Sequence, residues 1–116
     1  MIRVQYPCRT VSALNVREHP MARARRVKRE RTNAWLALRQ VTAERYELPI
    51  VITVTRIAPR ALDGHDNLGA SLKPTIDGIA DFLGVADNDP RVTFKTAQER
   101  GLPKFYGIRI EVSHGE

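Results

Sequence analysis

Four short stretches of the chain alternate apolar and polar residues, and this period of two predicts β-strands. The longest covers residues 50–57, where Ile50, Ile52 and Val54 share one face and β-branched residues occupy nearly every position. Weaker stretches with the same character cover residues 2–6, 91–95 and 105–112. Because Gly101 and Pro103 separate the last two, we expect 92–96 and 105–112 to form an antiparallel hairpin.

Two helices are predicted between these strands. Residues 21–46 contain neither Gly nor Pro and are rich in Ala, Arg, Leu and Glu, which favours a long helix. A second helix follows, with Asp66 or Asn67 as its N-cap, Gly84 after its last turn and a kink or fresh start at Pro74. Its apolar residues recur at the spacing of one buried face: Leu68, Leu72, Ile76, Ile79 and Leu83.

The order β-α-β-α-β-β predicts an α/β (α+β) fold with a small mixed sheet of about four strands and two helices. A chain of 116 residues is long enough for one domain with a modest core, so residues 1–116 are expected to fold as a single unit. Neither repeats nor low-complexity segments interrupt it.

The charge of the chain points to a polyanionic partner. The formal net charge is +6, and the pI is about 10.1. One stretch of the first predicted helix is strongly basic, and in a protein that binds nucleic acid its side chains would contact phosphates: Arg23, Arg25, Arg26, Lys28, Arg29 and Arg31. The alternative is an ordinary solvated helix face with Glu30 as an ion-pair partner.

The single Cys8 excludes an internal disulfide and a cysteine-based zinc cluster. A free thiol is typical of a reducing compartment, and the N-terminus lacks the apolar core of a signal peptide. No stretch approaches the roughly 18 apolar residues of a membrane span. We therefore expect a cytoplasmic protein with no membrane partner.

Most of the Asp residues lie in residues 63–89, at both ends and along one face of the second predicted helix. Clustered carboxylates are typical of sites for Mg²⁺, which prefers oxygen ligands and keeps waters that a phosphate can replace. Bound ions of this kind assist phosphodiester hydrolysis. The alternative is structural, since Asp and Asn also cap helices and form turns, and Lys73 with Asp77 is an ordinary i,i+4 pair.

The order of these elements resembles the RusA-type Holliday-junction resolvases of bacteria and phages. The matching residues are Asp66-Asn67-Leu68, the Lys73–Asp77 segment and the Asp89–Val92 segment, together with Asn15 early in the chain and the long basic helix. The resemblance extends over nearly the whole chain, but its specific motifs lie within residues 66–92.

The resemblance implies a homodimeric, Mg²⁺-dependent endonuclease that cuts Holliday junctions or other branched DNA, with Mn²⁺ as an alternative ion. Asp66, Lys73 and Asp89 fall on the catalytic motif of the family, whose carboxylates hold metal and whose lysine supports cleavage. The first acid of the family falls on Gly64, so Asp63 is expected to complete a metal site of Asp63, Asp66 and Asp89. The predicted catalytic set is Asp63, Asp66, Lys73 and Asp89, with His65 and Asp87 as the next ligands to consider.

Three functions therefore compete at this point. The first is a structure-selective DNA endonuclease. The second is a DNA-binding module that keeps the fold and has lost cleavage. The third is a non-enzymatic interaction protein of a phage, in which an acidic partner covers the basic helix.

Overall fold

The described part of the chain forms four strands and two helices in the predicted order. The computed structural model describes residues 2–12, 17–41, 47–86 and 88–115, with the backbone alone at His65 and Asp66. Its elements are β1 (Ile2–Pro7), α1 (Pro20–Val41), β2 (Ile50–Ala58), α2 (His65–Leu83), β3 (Val92–Arg100) and β4 (Gly107–His114). The predicted class, a mixed four-stranded sheet with two helices, is confirmed.

The sheet has the strand order β1-β4-β2-β3, so β2 and β4 are its central strands. β4 runs antiparallel to both β1 and β2, whereas β3 runs parallel to β2. The predicted hairpin of 92–96 with 105–112 is therefore wrong, because β3 and β4 lie on opposite sides of β2. The segment that joins them passes the end of β2, where the Gly101 N–H donates to the Ala58 carbonyl at 2.9 Å.

One face of the sheet packs against both helices and forms the core. β2 and β4 contribute the apolar residues that alternate along each strand, as the period of two predicts. α1 contributes Ala34 and Leu38, and α2 contributes residues of its predicted apolar face. The fully buried side chains of this core include Leu38, Ile50, Ile52, Val54, Leu72, Ile79, Ile108 and Ile110.

The two helices approach most closely where Gly78 of α2 meets α1. A Cβ at Gly78 would lie far inside the contact distance of the Arg31 carbonyl oxygen and 3.0 Å from the Ala34 Cβ. One turn further along both helices, Trp35 makes an edge-to-face contact with Phe82 at 6.4 Å between ring centroids. The absence of a side chain at residue 78 therefore sets how closely α1 and α2 pack.

The amino end of α2 differs from the prediction, whereas its carboxyl end agrees with it. Its N-cap is Gly64, with no side-chain cap, so neither Asp66 nor Asn67 caps the helix as expected. The Asn67 amide instead donates to the Asp63 carbonyl at 2.7 Å. Gly84 ends the helix in the left-handed conformation, as predicted, with φ 68°.

Pro74 does not start a new helix, because α2 continues through it without a break. Burial of Pro74 and of its neighbours Leu72 and Thr75 offsets the lost backbone hydrogen bond.

α1 was predicted to reach residue 46. It is helical to Val41, and residues 42–46 lie outside the described part. Neither helix has the length and apolar character needed to cross a membrane, within the part of the chain that the structure describes.

The helix contact predicts opposite effects of one substitution at two glycines of α2. Gly78→Ala should lower the free energy of unfolding by about 1–3 kcal/mol, because the added methyl forces α1 and α2 apart. Gly69→Ala should raise it by about 0.5–1 kcal/mol, because a Cβ there meets nothing within 4 Å and alanine favours the helix. Urea denaturation of both variants measures the difference, and equal effects would contradict this account of the packing.

Candidate nucleic-acid interface

The six cations predicted to contact phosphates do not share one environment. α1 buries the stripe formed by Arg26, Glu30, Ala34 and Leu38, four residues apart, against the rest of the fold. Two members of the basic stretch, Arg26 and Arg31, are held by carboxylates of the same chain. Contact of Arg26 with phosphates requires an exposed side chain, and that expectation is wrong, because the i,i+4 geometry that buries Ala34 and Leu38 also buries Arg26.

Arg26 forms the centre of a buried ion-pair network with two carboxylates. Its Nε and Nη2 donate to Glu18 at 2.8–3.1 Å, and its Nη1 donates to Glu30 Oε2 at 2.6 Å. Arg26 and Glu30 are only 7% and 3% exposed. The hydrogen bonds from Arg26 hold the pKa of Glu18 below its usual range. They also attach the segment that precedes α1 to the helix itself.

At Glu30, the second carboxylate of this network, burial has the largest effect on the pKa. Desolvation raises the pKa of Glu30, although Arg26 acts in the opposite direction. Its Oε1 is buried without a hydrogen-bond partner in the described structure, as are the Tyr6 hydroxyl and the Thr75 hydroxyl. Desolvation and the neighbouring Glu30 also raise the pKa of the Cys8 thiol to about 11, so this cysteine is protonated at neutral pH.

Arg31 forms its ion pair with a carboxylate of the other helix. It donates two hydrogen bonds to Asp81 of α2 across the helix contact, and both side chains remain about half exposed. The Arg31 guanidinium lowers the pKa of Asp81. Exposed pairs of this kind contribute at most about 1 kcal/mol, so a phosphate could compete for Arg31.

The remaining four cations are exposed on α1. Arg23, Arg25, Lys28 and Arg29 project into solvent, and no ion pair involves them within the described ranges. A shallow groove of about 310 Å³ lies among the last three of these cations, lined by Arg25, Lys28, Arg29, Thr32 and Asn33. We call this surface the α1 basic groove.

An aromatic side chain extends the basic groove toward the C-terminal end of α1. A second depression of about 340 Å³ is lined by Lys28, Arg31, Thr32, Trp35 and Asp81. The Arg39 guanidinium lies 5.4 Å from the centroid of the Trp35 ring. Trp35 is half-buried, with one part against Phe82 and another beside this surface.

The first carboxylate cluster lies at the amino end of α2. Asp63 is exposed in the turn before the helix. The Ser12 hydroxyl donates to Asn67 Oδ1 at 2.9 Å, so the segment after β1 is attached to the first turn of α2. The Asp66 side chain and Asn15, both part of the resemblance, lie outside the described part, as does the side chain of His65.

Asp89 lies at the opposite end of the molecule, just before β3. Its carboxylate accepts from the Arg91 guanidinium at 2.7 and 3.0 Å and from the Arg91 backbone N–H at 2.9 Å. These hydrogen bonds hold the pKa of Asp89 at about 2. The Ile50 N–H donates to the Arg91 carbonyl, which places Asp89 beside the first residue of β2.

One chain does not bring Asp63 and Asp89 together. The 19 residues of α2 separate them, a length of roughly 28 Å at about 1.5 Å per residue. The nine residues of β2 give a similar span at about 3.3 Å per residue. The expected convergence of Asp63 with Asp89 in a single chain is therefore wrong, because the turn after α2 does not return to the start of the helix.

Lys73 lies between the two ends of α2 and pairs with Asp77 at 3.0 Å. Among the described side chains, no three His, Cys, Asp or Glu residues are placed to hold a metal ion together. Asp87, the reserve ligand, is outside the described residues. The described carboxylates of one chain thus do not form the predicted site for Mg²⁺, and no chemical step through a metal follows from them.

Sequence reasoning missed Glu18 and Ser12, which anchor the two ends of the segment before α1. Neither residue belongs to a periodic pattern, so only tertiary structure could reveal its partner.

Neither a known protein family nor a characterised protein matches the chain in sequence. The resemblance to RusA-type resolvases therefore rests on its motif residues.

The buried network predicts that replacing two neighbouring arginines will lower the free energy of unfolding by very different amounts. Arg26→Ala should lower the free energy of unfolding by about 3–5 kcal/mol, because it leaves Glu30 buried without its cation. Arg25→Ala, the matched control, should change it by no more than about 0.5 kcal/mol. Chemical denaturation at pH 7 measures both.

The loss of unfolding free energy caused by Arg26→Ala should also depend on pH. Without Arg26, burial keeps the pKa of Glu30 higher in the folded state than in the unfolded state, so its protonation favours folding. Lowering the pH from 7 to 5 should therefore recover part of the lost stability. A deficit that grows over this range would contradict the placement of Glu30.

Proposed function

We propose that this protein binds DNA through the α1 basic groove. The observation that carries the proposal is the division of the basic stretch: Arg26 and Arg31 are paired within the chain, while four cations stay exposed along one helix. Concentrated cations that form no ion pair with a described carboxylate repel one another, and phosphates relieve that repulsion. The net charge of +6 supports the same partner.

We further propose that the protein cuts branched DNA, such as Holliday junctions, as a homodimer. The support is the resemblance of Asp66, Lys73 and Asp89 to the RusA motif. Because α2 separates Asp66 from Asp89 in one chain, the proposal requires a site built from two copies. A two-fold axis that pairs the amino end of one α2 with the carboxyl end of its partner forms two such sites at once.

In this dimer, carboxylates from both copies are the candidate ligands of Mg²⁺ or Mn²⁺. When bound, such an ion supplies charge stabilisation and an activated water for phosphodiester hydrolysis. Lys73 adds a cation on the same helix, where it can stabilise the negative charge that develops on the phosphate. The ion pair of Asp89 with Arg91 must open before Asp89 binds metal.

The second candidate is a DNA-binding module of the same fold without cleavage. One observation favours it: Arg91 already satisfies the Asp89 carboxylate with three hydrogen bonds. Such a module keeps the α1 basic groove and has no need for Asp66 and Asp89 to meet. The two experiments below separate binding from cleavage.

DNA affinity should depend steeply on salt, and the α1 basic groove should carry that dependence. Each phosphate contact contributes about 0.9 to the slope of log affinity against log salt. The double variant Arg25→Gln/Arg29→Gln should flatten the slope by about 1–2 and weaken duplex binding. Fluorescence anisotropy with a duplex oligonucleotide between 50 and 200 mM salt measures it.

The control is Arg3→Gln/Lys95→Gln, which removes the same charge from the sheet face that the helices leave uncovered. It should leave the slope nearly unchanged. If both double variants weaken binding equally, the contact is not specific to α1. If neither does, the proposed DNA-binding surface is wrong.

Cleavage by a composite site should be restored by mixing two inactive variants. Asp66→Asn and Asp89→Asn should each fail to nick a four-way junction in the presence of Mg²⁺. After the two are unfolded and refolded together, half of the randomly paired dimers are mixed. Each mixed dimer then holds one intact site, so nicking should return to about a quarter of the wild-type level.

Asp81→Asn, which removes one charge from the last turn of α2, serves as the control and should nick alone. Two inactive variants that remain inactive when mixed would contradict the composite site. A wild-type protein that binds the junction and never nicks it would exclude the endonuclease and leave the DNA-binding module.

A further inference from the structure

A second basic surface lies at the carboxyl end of β2, separate from the α1 basic groove. Three chain segments meet there: the residues after β1, the turn after β2 and the loop 101–106. The Cys8 N–H donates to the Tyr106 carbonyl at 3.1 Å, and the Phe105 N–H donates to the Leu102 carbonyl at 3.1 Å. Lys104 adopts a left-handed conformation, with φ 62°, as the loop turns back toward β4.

An arginine and a tyrosine are stacked at this surface. The Arg9 guanidinium lies 4.5 Å from the centroid of the Tyr106 ring. Arg9 is exposed, and Tyr106 is half-buried. The second face of a guanidinium stacked in this way is a planar cationic surface, of the kind on which nucleic-acid bases stack.

A cation without a carboxylate partner lies next to this stack. Arg56 donates to the Arg60 carbonyl at 2.8 Å and more weakly to Gln98, and no described carboxylate pairs with it. Burial lowers the pKa of Arg56. A partly buried guanidinium that no carboxylate neutralises favours an anion beside it. Arg60 and Lys104 add exposed positive charge at the same end of the sheet.

The surface is connected to the amino end of α2. Gln98, which accepts from Arg56, also accepts from the Leu62 N–H at 2.7 Å and donates to the Leu62 carbonyl at 3.1 Å. Asp63 is the next residue. A ligand held by Arg9 and Arg56 would therefore lie near Asp63, the carboxylate that precedes α2.

We propose that this surface binds an unpaired nucleotide of the DNA substrate, with the base on the Arg9–Tyr106 stack and a phosphate at Arg56. This inference rests on the proposed DNA binding and deepens it. Bases within a duplex are already stacked on their neighbours, so only a base at a branch, end or single strand can reach the stack. The surface thus selects branched or single-stranded DNA, while the α1 basic groove binds any duplex.

The test compares three DNA probes by fluorescence anisotropy: a duplex, a four-way junction with an unpaired base at its crossover, and a dT oligonucleotide. Tyr106→Leu should weaken binding of the junction and of dT by about 5- to 100-fold, the range expected for the loss of one stacked base. Its duplex affinity should stay within about twofold, because duplex binding needs no stack. Tyr106→Phe keeps the ring and should bind all three probes as the wild type does.

Two further variants keep the test decisive if Tyr106→Leu fails to fold. Arg9→Ala removes an exposed side chain and should show the same selective loss. Arg56→Gln keeps a donor for the Arg60 carbonyl and should flatten the salt slope for dT by about 0.7. Variants that weaken all three probes equally, or none, would overturn the inference.

The inference and the proposed function can fail separately. If Arg25→Gln/Arg29→Gln leaves duplex binding unchanged, the α1 basic groove is wrong, while the dT titrations still test the stack. If that variant loses duplex affinity and Arg9→Ala loses nothing on any probe, the groove stands and the nucleotide surface is wrong.

Discussion

The parallel pairing of β2 with β3 is the constraint on which the rest of the molecule depends. Parallel neighbours cannot be joined by a tight turn, so the chain must return along the whole sheet before β3 begins. α2 makes that return, and its apolar face covers the two strands that it joins. The same return places Asp63 and Asp89 at opposite ends of the fold, which is why carboxylates close in sequence do not meet in one chain.

The basic stretch of α1 shows how one helix divides its charges between two tasks. Arg26 is directed inward by the same geometry that buries Leu38, and it can be buried only because Glu18 and Glu30 neutralise it. The cations on the other side have no such partners among the described residues and remain available to an anion. Because Gly78 has no side chain, α2 packs closely against α1 and helps to bury the stripe of α1 that contains Arg26 and Leu38.

Local patterns were enough to predict most of the elements but not how they pair. The β-branched run of β2 and the apolar period of α2 identified their type and approximate bounds, and Gly84 correctly marked a helix end. β3 and β4 were assigned to each other because a short turn separates them in sequence. Pairing across β2 depends on contacts distant in sequence, which a local pattern does not encode. For the same reason, Glu18 could not be assigned to Arg26, nor Asp89 to the far end of α2.

The position of β4 has a consequence for how the protein is made. β4 is the last of the four strands to be synthesised, yet it lies between β1 and β2, with Val112 paired to both Ile2 and Ile52. Until it leaves the ribosome, β1 has no strand to pair with, and β2 exposes one unpaired edge. The nascent chain therefore carries an open, β-branched strand edge from the completion of β2 until β4 emerges, and closure of the sheet is a late, long-range event.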